Sequence, residues 1–460
     1  MTDVDLLGIA RRVAGDARPG EQIEAYVLRS RDTDVEVFDG EVESLSVAEV
    51  EGVGVRVVVD ARQGYAWAGS LDDDVIAETV AEARDNAGFG SPDESYVLAA
   101  PSDVTARLDG DGAVVPVLDL WSDDVLSTPT ADKVALALAL DAAVRAADPL
   151  VRGVESASYG DAAVEAAVAN SLGVEASTRR TMASCSAFAM AGEDTLTQTG
   201  SGFSAGRSFA EVDAHEAARD AAERAVRLLG AKPIPSGRLP VILDPMVTRS
   251  LLALLGGALS GEAIVRGRSL FVGREGEAVA GPTITLVDDP TLAEAFGAAT
   301  HDAEGVPTRR IELIADGRFD AVLHNVHTAK RAGGGARTTG SAVRGGFKSP
   351  PGVGARALHL VPGALAAEEI LASVDHGLYV QSVSGLHSGT NPVSGDFSVG
   401  AVGLVVRNGA LAEPVREVTI ASTLQRILHD ITLVGADLTW LPGGAAGMTL
   451  LVNDMSVSGN

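Results

Sequence analysis

The run EQIEAYVLRS (Glu21–Ser30), with TDVEVF (Thr33–Phe38), VESLSVAEV (Val42–Val50), VGVRVVVD (Val53–Asp60) and YAWAGS (Tyr65–Ser70) behind it, reads as a ladder of short β-strands. Apolar and polar residues alternate within the runs, β-branched residues are frequent, and Gly40, Gly52, Gly54 and Gly64 punctuate them. Working outward, apolar residues recur at helical spacing from Val4 to Val13, and a helix is predicted over Asp73–Ala87. Asp72, Asp73 and Asp74 suit the positive end of its dipole. The same order returns near Asp132: a helix to Ala147, strands over Val151–Tyr159, Ala162–Asn170, Val174–Thr181, Ala183–Ala191 and Thr195–Phe203, then a helix over Phe209–Leu229. Helix, antiparallel meander, helix occurs twice, which predicts an internal duplication although no residue-level identity supports it.

Leu229-Gly230-Ala231-Lys232-Pro233-Ile234-Pro235-Ser236-Gly237 joins a glycine helix stop to two prolines, the composition of a linker. Beyond it Leu239–Leu243 is an apolar strand, Asp244 a candidate N-cap before Pro245, and Met246–Ala258 a helix. From Pro282 onward strands and Gly-rich turns dominate, with helical patches at Leu292–Ala298, Leu365–Ala372 and Thr423–His429. The expected fold is α+β. Residues 1–230 form an N-terminal domain of duplicated helix/antiparallel-meander/helix units (1–90 and 131–230), 231–238 a linker, and 239–460 a β-rich C-terminal domain with few helices.

A chain of 460 residues exceeds what one hydrophobic core supports, which agrees with that division. Thirty-six basic against 63 acidic side chains leave a net charge of −27, which speaks against a phosphate-backbone partner and against an anionic membrane surface. With only Cys185 there is no internal disulfide. The start Met1-Thr2-Asp3-Val4-Asp5 lacks the basic and apolar regions of a signal peptide, and the apolar run Val247–Leu259 is short and interrupted. A cytoplasmic protein is expected.

A zinc hydrolase needs two imidazoles on one helical face beside a carboxylate. The only His-Glu pair, His215-Glu216, is followed by Arg219 and Asp220 where a second histidine would complete HExxH or HExxxH. His324 and His327 are the closest histidine pair, but Phe319–Leu323 alternates like a strand, on which positions i and i+3 face opposite sides. Cys185 sits in an alanine-rich strand without a neighbouring histidine and reads as a buried inert thiol. Gly333-Gly334-Gly335 and Gly345-Gly346-Phe347-Lys348-Ser349 lack the order of a P-loop, and no G-x-S-x-G elbow exists. The densest polar cluster is the loop Gly385–Ser398. Its His387, Ser388, Asn391, Ser394 and Asp396 are candidate substrate-binding or interface residues, or else a tight turn whose side chains satisfy backbone amides. No catalytic residue and no metal ligand is assigned.

Gly385–Gly400, Gly403–Gly409 and Pro414–Ala421 resemble the TldD/PmbA family, also called the modulator of DNA gyrase family. Asp302–Thr308, Arg337–Gly340, Val434–Asp437 and the Val53–Val58 and Gly64–Ala66 runs are similar as well, so the likeness spans nearly the whole chain. The resemblance implies two related chains that pair: a TldD type, a zinc peptidase carrying HExxxH, and a TldE (PmbA) type without it. Laid on Leu251–Glu262, that motif would fall on Ala253, Leu254 and Ala258, which cannot ligate zinc. The chain therefore resembles the TldE type: no cofactor of its own, zinc on a TldD-like partner in a heterodimer, and peptides or unfolded segments as substrate. A homodimeric peptide-binding module without hydrolysis and an independent hydrolase using His387 are the alternatives.

Overall fold

The computed structural model describes residues 4–105 and 115–459. The first part runs α1 (Leu6–Gly15), β1 (Glu21–Phe38), β2 (Glu41–Val59), β3 (Arg62–Ala68), α2 (Asp73–Phe89), the short α3 (Pro101–Thr105) and α4 (Asp124–Ser127), α5 (Thr130–Ala147), β4 (Val151–Asn170), β5 (Glu175–Ala191), β6 (Gln198–Gly206) and α6 (Ala214–Val226). Its strands form one antiparallel sheet in the order β3-β2-β1-β4-β5-β6, two meanders joined back to back through β1 and β4. One face is covered by α1, α2, α5 and α6, under which lie two apolar clusters centred on Ile23, Val55 and Ala83, and on Leu140, Tyr159 and Ala221. Each meander ends in a strand whose glycine admits its helix. A Cβ on Gly64 would lie 2.0 Å from the Ala83 carbonyl oxygen in α2, and one on Gly202 2.0 Å from that of Ala217 in α6.

The second part runs β7 (Gly237–Leu243), α7 (Pro245–Ala258), α8 (Gly261–Val265), β8 (Leu286–Asp288), β9 (Ile311–Ala315), β10 (Arg318–Phe319), α9 (Val326–Ala332), β11 (Ala342–Val343), β12 (Gly352–Val353), β13 (Leu358–Leu360), α10 (Ala367–Ala372), β14 (His376–Ser384), α11 (Leu386–Gly389), β15 (Asp396–Arg407), β16 (Ala410–Thr423), α12 (Leu424–Asp430), β17 (Ile431–Val434) and β18 (Leu450–Ser458). The sheet β16-β15-β14-β7-β18-β17 curls so that β16 also pairs with β18, closing five strands into a barrel. Leu251, Leu252 and Leu255 of α7 pack into the same apolar cluster as Val241 and Leu243 of β7 and Val452 of β18. Asp244 caps α7 by accepting the Met246 amide at 2.9 Å, with Pro245 in the first turn. Asp244 also ties the two parts together, 2.8 Å from Arg224 of α6 and 2.6 Å from the Tyr379 hydroxyl.

The sequence expectation breaks the strands too often. Glu21–Ser30 and Thr33–Phe38 are one strand of 18 residues, Val42–Val50 and Val53–Asp60 one of 19, and β4 and β5 each fuse two expected pieces. Gly52 and Gly54 interrupt nothing: they lie inside β2, where a Cβ would be 2.5 Å from the Phe347 ring and 2.4 Å from the Phe347 carbonyl oxygen. They are there for close approach, not for turning. Leu292–Ala298 forms turns, not a helix, and Phe209–Leu229 begins with a separate 3₁₀ turn before α6. Phe319–Leu323 leaves its strand after Phe319, so the strand argument about the histidine pair fails. His324 precedes the capping residue of α9 and His327 lies on that helix.

Candidate functional site

The face of the N-terminal sheet that carries no helices looks onto the C-terminal loops, and between them lies a cavity of about 710 Å³. Because side chains alternate across a strand, the same register that buries Val27 and Val55 under helices turns Tyr26, Leu28 and Ser30 of β1, Val164, Ala166 and Val168 of β4, and Ala176 and Thr178 of β5 into the cavity wall. The opposite wall is the turn 298–303, the loop Arg344–Ser349 and Arg356.

The edge of this cavity is held by a buried ionic network. Arg56 of β2 reaches the Glu24 carboxylate of β1 at 2.6 Å and Glu304 at 3.0 Å, and Glu24 also receives Arg344. Side chains of all four are at most 3% exposed. Burial opposes the Glu24 charge, but Arg56 and Arg344 together hold its carboxyl below the usual range. Glu304 has one guanidinium only; burial raises its pKa and Arg56 compensates in part. Glu304 also accepts the Val326 amide at 2.9 Å at the start of α9. Asp302 accepts the amides of Glu304, Val306 and Ala342 at 2.9–3.0 Å, yet burial and then the neighbouring Glu304 push its pKa upward. On the C-terminal side Asp288 of β8 accepts the amides of Arg356 (2.9 Å) and Ala357 (2.7 Å), and burial raises it to about 6. These contacts fix where Arg344 and Arg356 stand.

Phe347 lies on the glycine pair of β2, its carbonyl oxygen accepting the Tyr65 hydroxyl at 2.7 Å, so the glycine stretch rejected as a phosphate loop is a wall of the cavity. His301 lines the cavity, and burial lowers its pKa. His324 is buried, with Nδ1 3.1 Å from Thr328 Oγ1, and burial lowers it to about 4. His327 stacks on Tyr96 with ring centres 5.0 Å apart. Cys185 is buried and its thiol pushed up to about 11, an inert group.

The loop residues singled out from sequence lie elsewhere. Asn391 Oδ1 accepts the Val393 and Ser394 amides at 2.9 and 3.2 Å, and Ser394 donates to the Asp396 carboxylate at 2.6 Å, a turn closed on itself. His387 and Ser388 are exposed on the single turn of α11, and none of the five reaches the cavity. The residues that do build it were legible in part: Arg56 is a cation amid the apolar run Val53–Val59, and Asp302 and Glu304 stand in a quoted motif. The signal for Arg344 and Arg356 is absent locally, since their partners are 320 and 68 residues away.

Zinc, which the resemblance implies for one of two paired chains, finds no fit here. Ala253 is exposed, Leu254 half-buried and Ala258 buried, and none offers a donor atom in its side chain. Among the described residues no group of three or more His, Cys, Asp or Glu side chains is placed to hold a metal ion. No helix among the described residues is long and apolar enough to cross a membrane.

Comparison with known proteins agrees with this architecture from end to end. Residues 23–87, 123–229 and 236–459 match domain 1, the central domain and the C-terminal domain of the PmbA/TldA metallopeptidases. Metalloprotease PmbA of Escherichia coli O157:H7 is 27% identical over 446 residues, covering 96% of this chain and 93% of that one. A metalloprotease TldD homolog of Haemophilus influenzae is 25% identical over 461 residues, covering 95% and 92%. A crystal structure from Bacteroides thetaiotaomicron, described as a modulator of DNA gyrase, superposes with a TM-score of 0.87 at 25% identity and covers all of both chains. TldE from Thermococcus kodakarensis shares the fold with a TM-score of 0.88 at 23% identity over 98% of this chain and 99% of its own. On sequence and on structure alike, the chain belongs to the PmbA/TldD metallopeptidase family.

Proposed function

We propose that this chain is the TldE/PmbA-type subunit of a cytoplasmic zinc metallopeptidase, inactive alone and paired with a TldD-like chain that carries the metal, and that it helps hold peptides or unfolded segments for cleavage. The observation that carries the reading is the donor-free face of α7: Ala253, Leu254 and Ala258 occupy the positions the family motif would give to zinc ligands and general base. Identity alone does not decide the subunit type, because the PmbA and TldD relatives stand at 27% and 25%.

What this chain's own residues do is bind. Apolar side chains of β1, β4 and β5 line one wall of the cavity, and loops pinned through Asp302, Glu304 and Asp288 form the other. A volume of about 710 Å³ lies within the roughly 300–1,000 Å³ of ligand pockets. Such a wall takes extended chain of varied sequence, because small apolar contacts, and the backbone that β5 leaves unpaired with β6 before Ala183, discriminate little between side chains. Tagged protein recovered from its native cytosol is expected to bring a TldD-like chain with it. Peptidase activity is expected only from the two together and is expected to be lost with a chelator. Hydrolysis by this chain alone after exhaustive metal removal, or one tightly held zinc per pure chain, overturns the assignment.

A further inference from the structure

In a protein of net charge −27, the cavity is lined by Arg179, Arg180, Arg344, Lys348 and Arg356 against only Asp32 and Asp302. Arg344 is committed to Glu24. Arg179 and Lys348 rest over the Trp121 and Trp67 rings, at 5.4 and 5.2 Å from the ring centres. Among the described residues none of Arg179, Arg180, Lys348 and Arg356 forms an ion pair, although carboxylates outnumber cations across the chain. Arg356 spends one nitrogen on the Ala342 carbonyl (2.8 Å) and leaves its buried Nε without an acceptor. The Arg180 side chain projects from β5 without a hydrogen bond among the described residues. Burial lowers the Arg356 pKa; Asp302 opposes that effect and Arg180 adds to it. Arg180 and Arg356 repel each other across the void, Asp302 and Asp288 offset that repulsion only in part, and an anion entering it relieves both the remaining repulsion and the unsatisfied donor of Arg356.

Given that the cavity holds peptide, as proposed above, we infer that it recognises a carboxylate on that peptide, with Arg180 and Arg356 as the receiving cations and Lys348 at the rim. Guanidinium groups suit this ligand because their planar donors match the two carboxylate oxygens. The apolar wall of Leu28, Val164, Ala166 and Ala176 takes the neighbouring residues of the peptide. The carboxylate comes either from the free C-terminus or from an Asp or Glu side chain, and one experiment separates the two.

The full chain is titrated by fluorescence anisotropy with a dye-labelled short Ala/Val peptide in four forms: free acid or C-terminal amide, each with Glu or Gln at a central position. The carboxylate source that matters is expected to give binding about tenfold tighter than its neutral counterpart, the size of a charged hydrogen bond lost. Arg180→Gln is expected to erase that preference, so that charged and neutral peptides bind alike. Since Arg180 is exposed and unpaired, the variant is expected to fold, and Lys348→Gln provides a second check of the same kind. Equal affinity for all four peptides, or a preference unchanged in both variants, overturns the inference while the peptide-holding reading stands. No binding of any form defeats that reading as well. Equal displacement of every form by inorganic phosphate marks an unspecific anion sink and counts against carboxylate recognition.

Discussion

The two meanders of the N-terminal sheet have the same topology and treat their edges in opposite ways. In each, the middle strand outruns the last: β3 pairs only with Val53–Val59 of β2, and β6 only with Ala183–Ala191 of β5. The overhang of β5 is tied to the chain itself at Thr181. Thr181 donates its amide to the Leu120 carbonyl at 2.9 Å, and its hydroxyl accepts the Ser122 amide at 2.9 Å and donates to the Arg207 carbonyl at 2.7 Å. The overhang of β2, Glu41–Gly52, has no strand on its outer side among the described residues, and Val42, Leu45, Val47 and Val50 are 39–49% exposed. Glu41, Glu43, Glu49 and Glu51 interleave with them, the charge device by which an open edge resists random pairing. A duplicated unit thus gave one edge to the cavity, where Ala176–Arg180 form the wall, and left most of its twin to solvent, with only Val50 at the cavity and Gly52 under Phe347.

The sharpest way to break the difference is through the ionic network, which anchors C-terminal loops on the first meander. Arg56→Met leaves Glu24 with Arg344 but strands Glu304 in the interior without its cation. A loss of about 3–5 kcal/mol is expected in urea unfolding, the range for a buried pair stripped of one member. In the second meander the buried pair is Lys133 with Asp161 at 2.5 Å, and it lies on the helix side. Tyr159 still donates to Asp161 at 2.7 Å, so Lys133→Met is expected to cost less, roughly 2–3 kcal/mol. Equal losses would show that the C-terminal loops add nothing to the first network.

Asp288 tests the C-terminal side of the same cavity by pH. Its folded pKa, about 6, stands above its ordinary 3.8, so the folded state keeps the proton longer than the unfolded one. The stabilising contribution is full below about 3.8 and is lost as pH rises through about 6. Asn keeps an oxygen for the Arg356 and Ala357 amides and carries no charge. Between pH 4 and 7.5 the stability of Asp288→Asn relative to the parent is expected to improve by up to about 3 kcal/mol. Parallel pH profiles of the two proteins would refute the buried charge.

How far the sequence revealed this architecture follows from the range of each interaction. Helix, meander and helix were legible because strand alternation and helical spacing are local, and α2, α5 and α7 fall within a few residues of expectation. Strand length was not, because Gly52 and Gly54 answer to Phe347, almost three hundred residues away, and a glycine carries no mark of what approaches it. The polar loop at 385–398 drew attention by composition, yet its Asn, Ser and Asp serve their own turn. The cavity residues Tyr26, Thr178 and Arg180 are the ordinary outer positions of long strands, and only the placement of 298–303 and 344–349 over them makes a site.

The covered edge can be loosened alone. Thr181→Val preserves shape in a fully buried position but removes the acceptor of the Ser122 amide and the donor to Arg207. A cost of about 1–3 kcal/mol is expected from the unsatisfied groups, with faster amide exchange at Ser122. The smallest effect belongs to the open edge. Val47→Lys adds a charge to a side chain already 46% exposed and is expected to change stability by no more than about 0.5 kcal/mol. Exchange makes the contrast direct: the Thr181 amide is expected to be protected by Leu120, while the amides of residues 42–51 that point away from β1 are expected to exchange as unbonded groups. If those amides are protected as well, and Val47→Lys abolishes the protection, then a second chain adds to β2 in solution. The two halves would then differ not in whether their edges are covered but in what covers them: the chain's own 118–122 segment on one side, another polypeptide on the other.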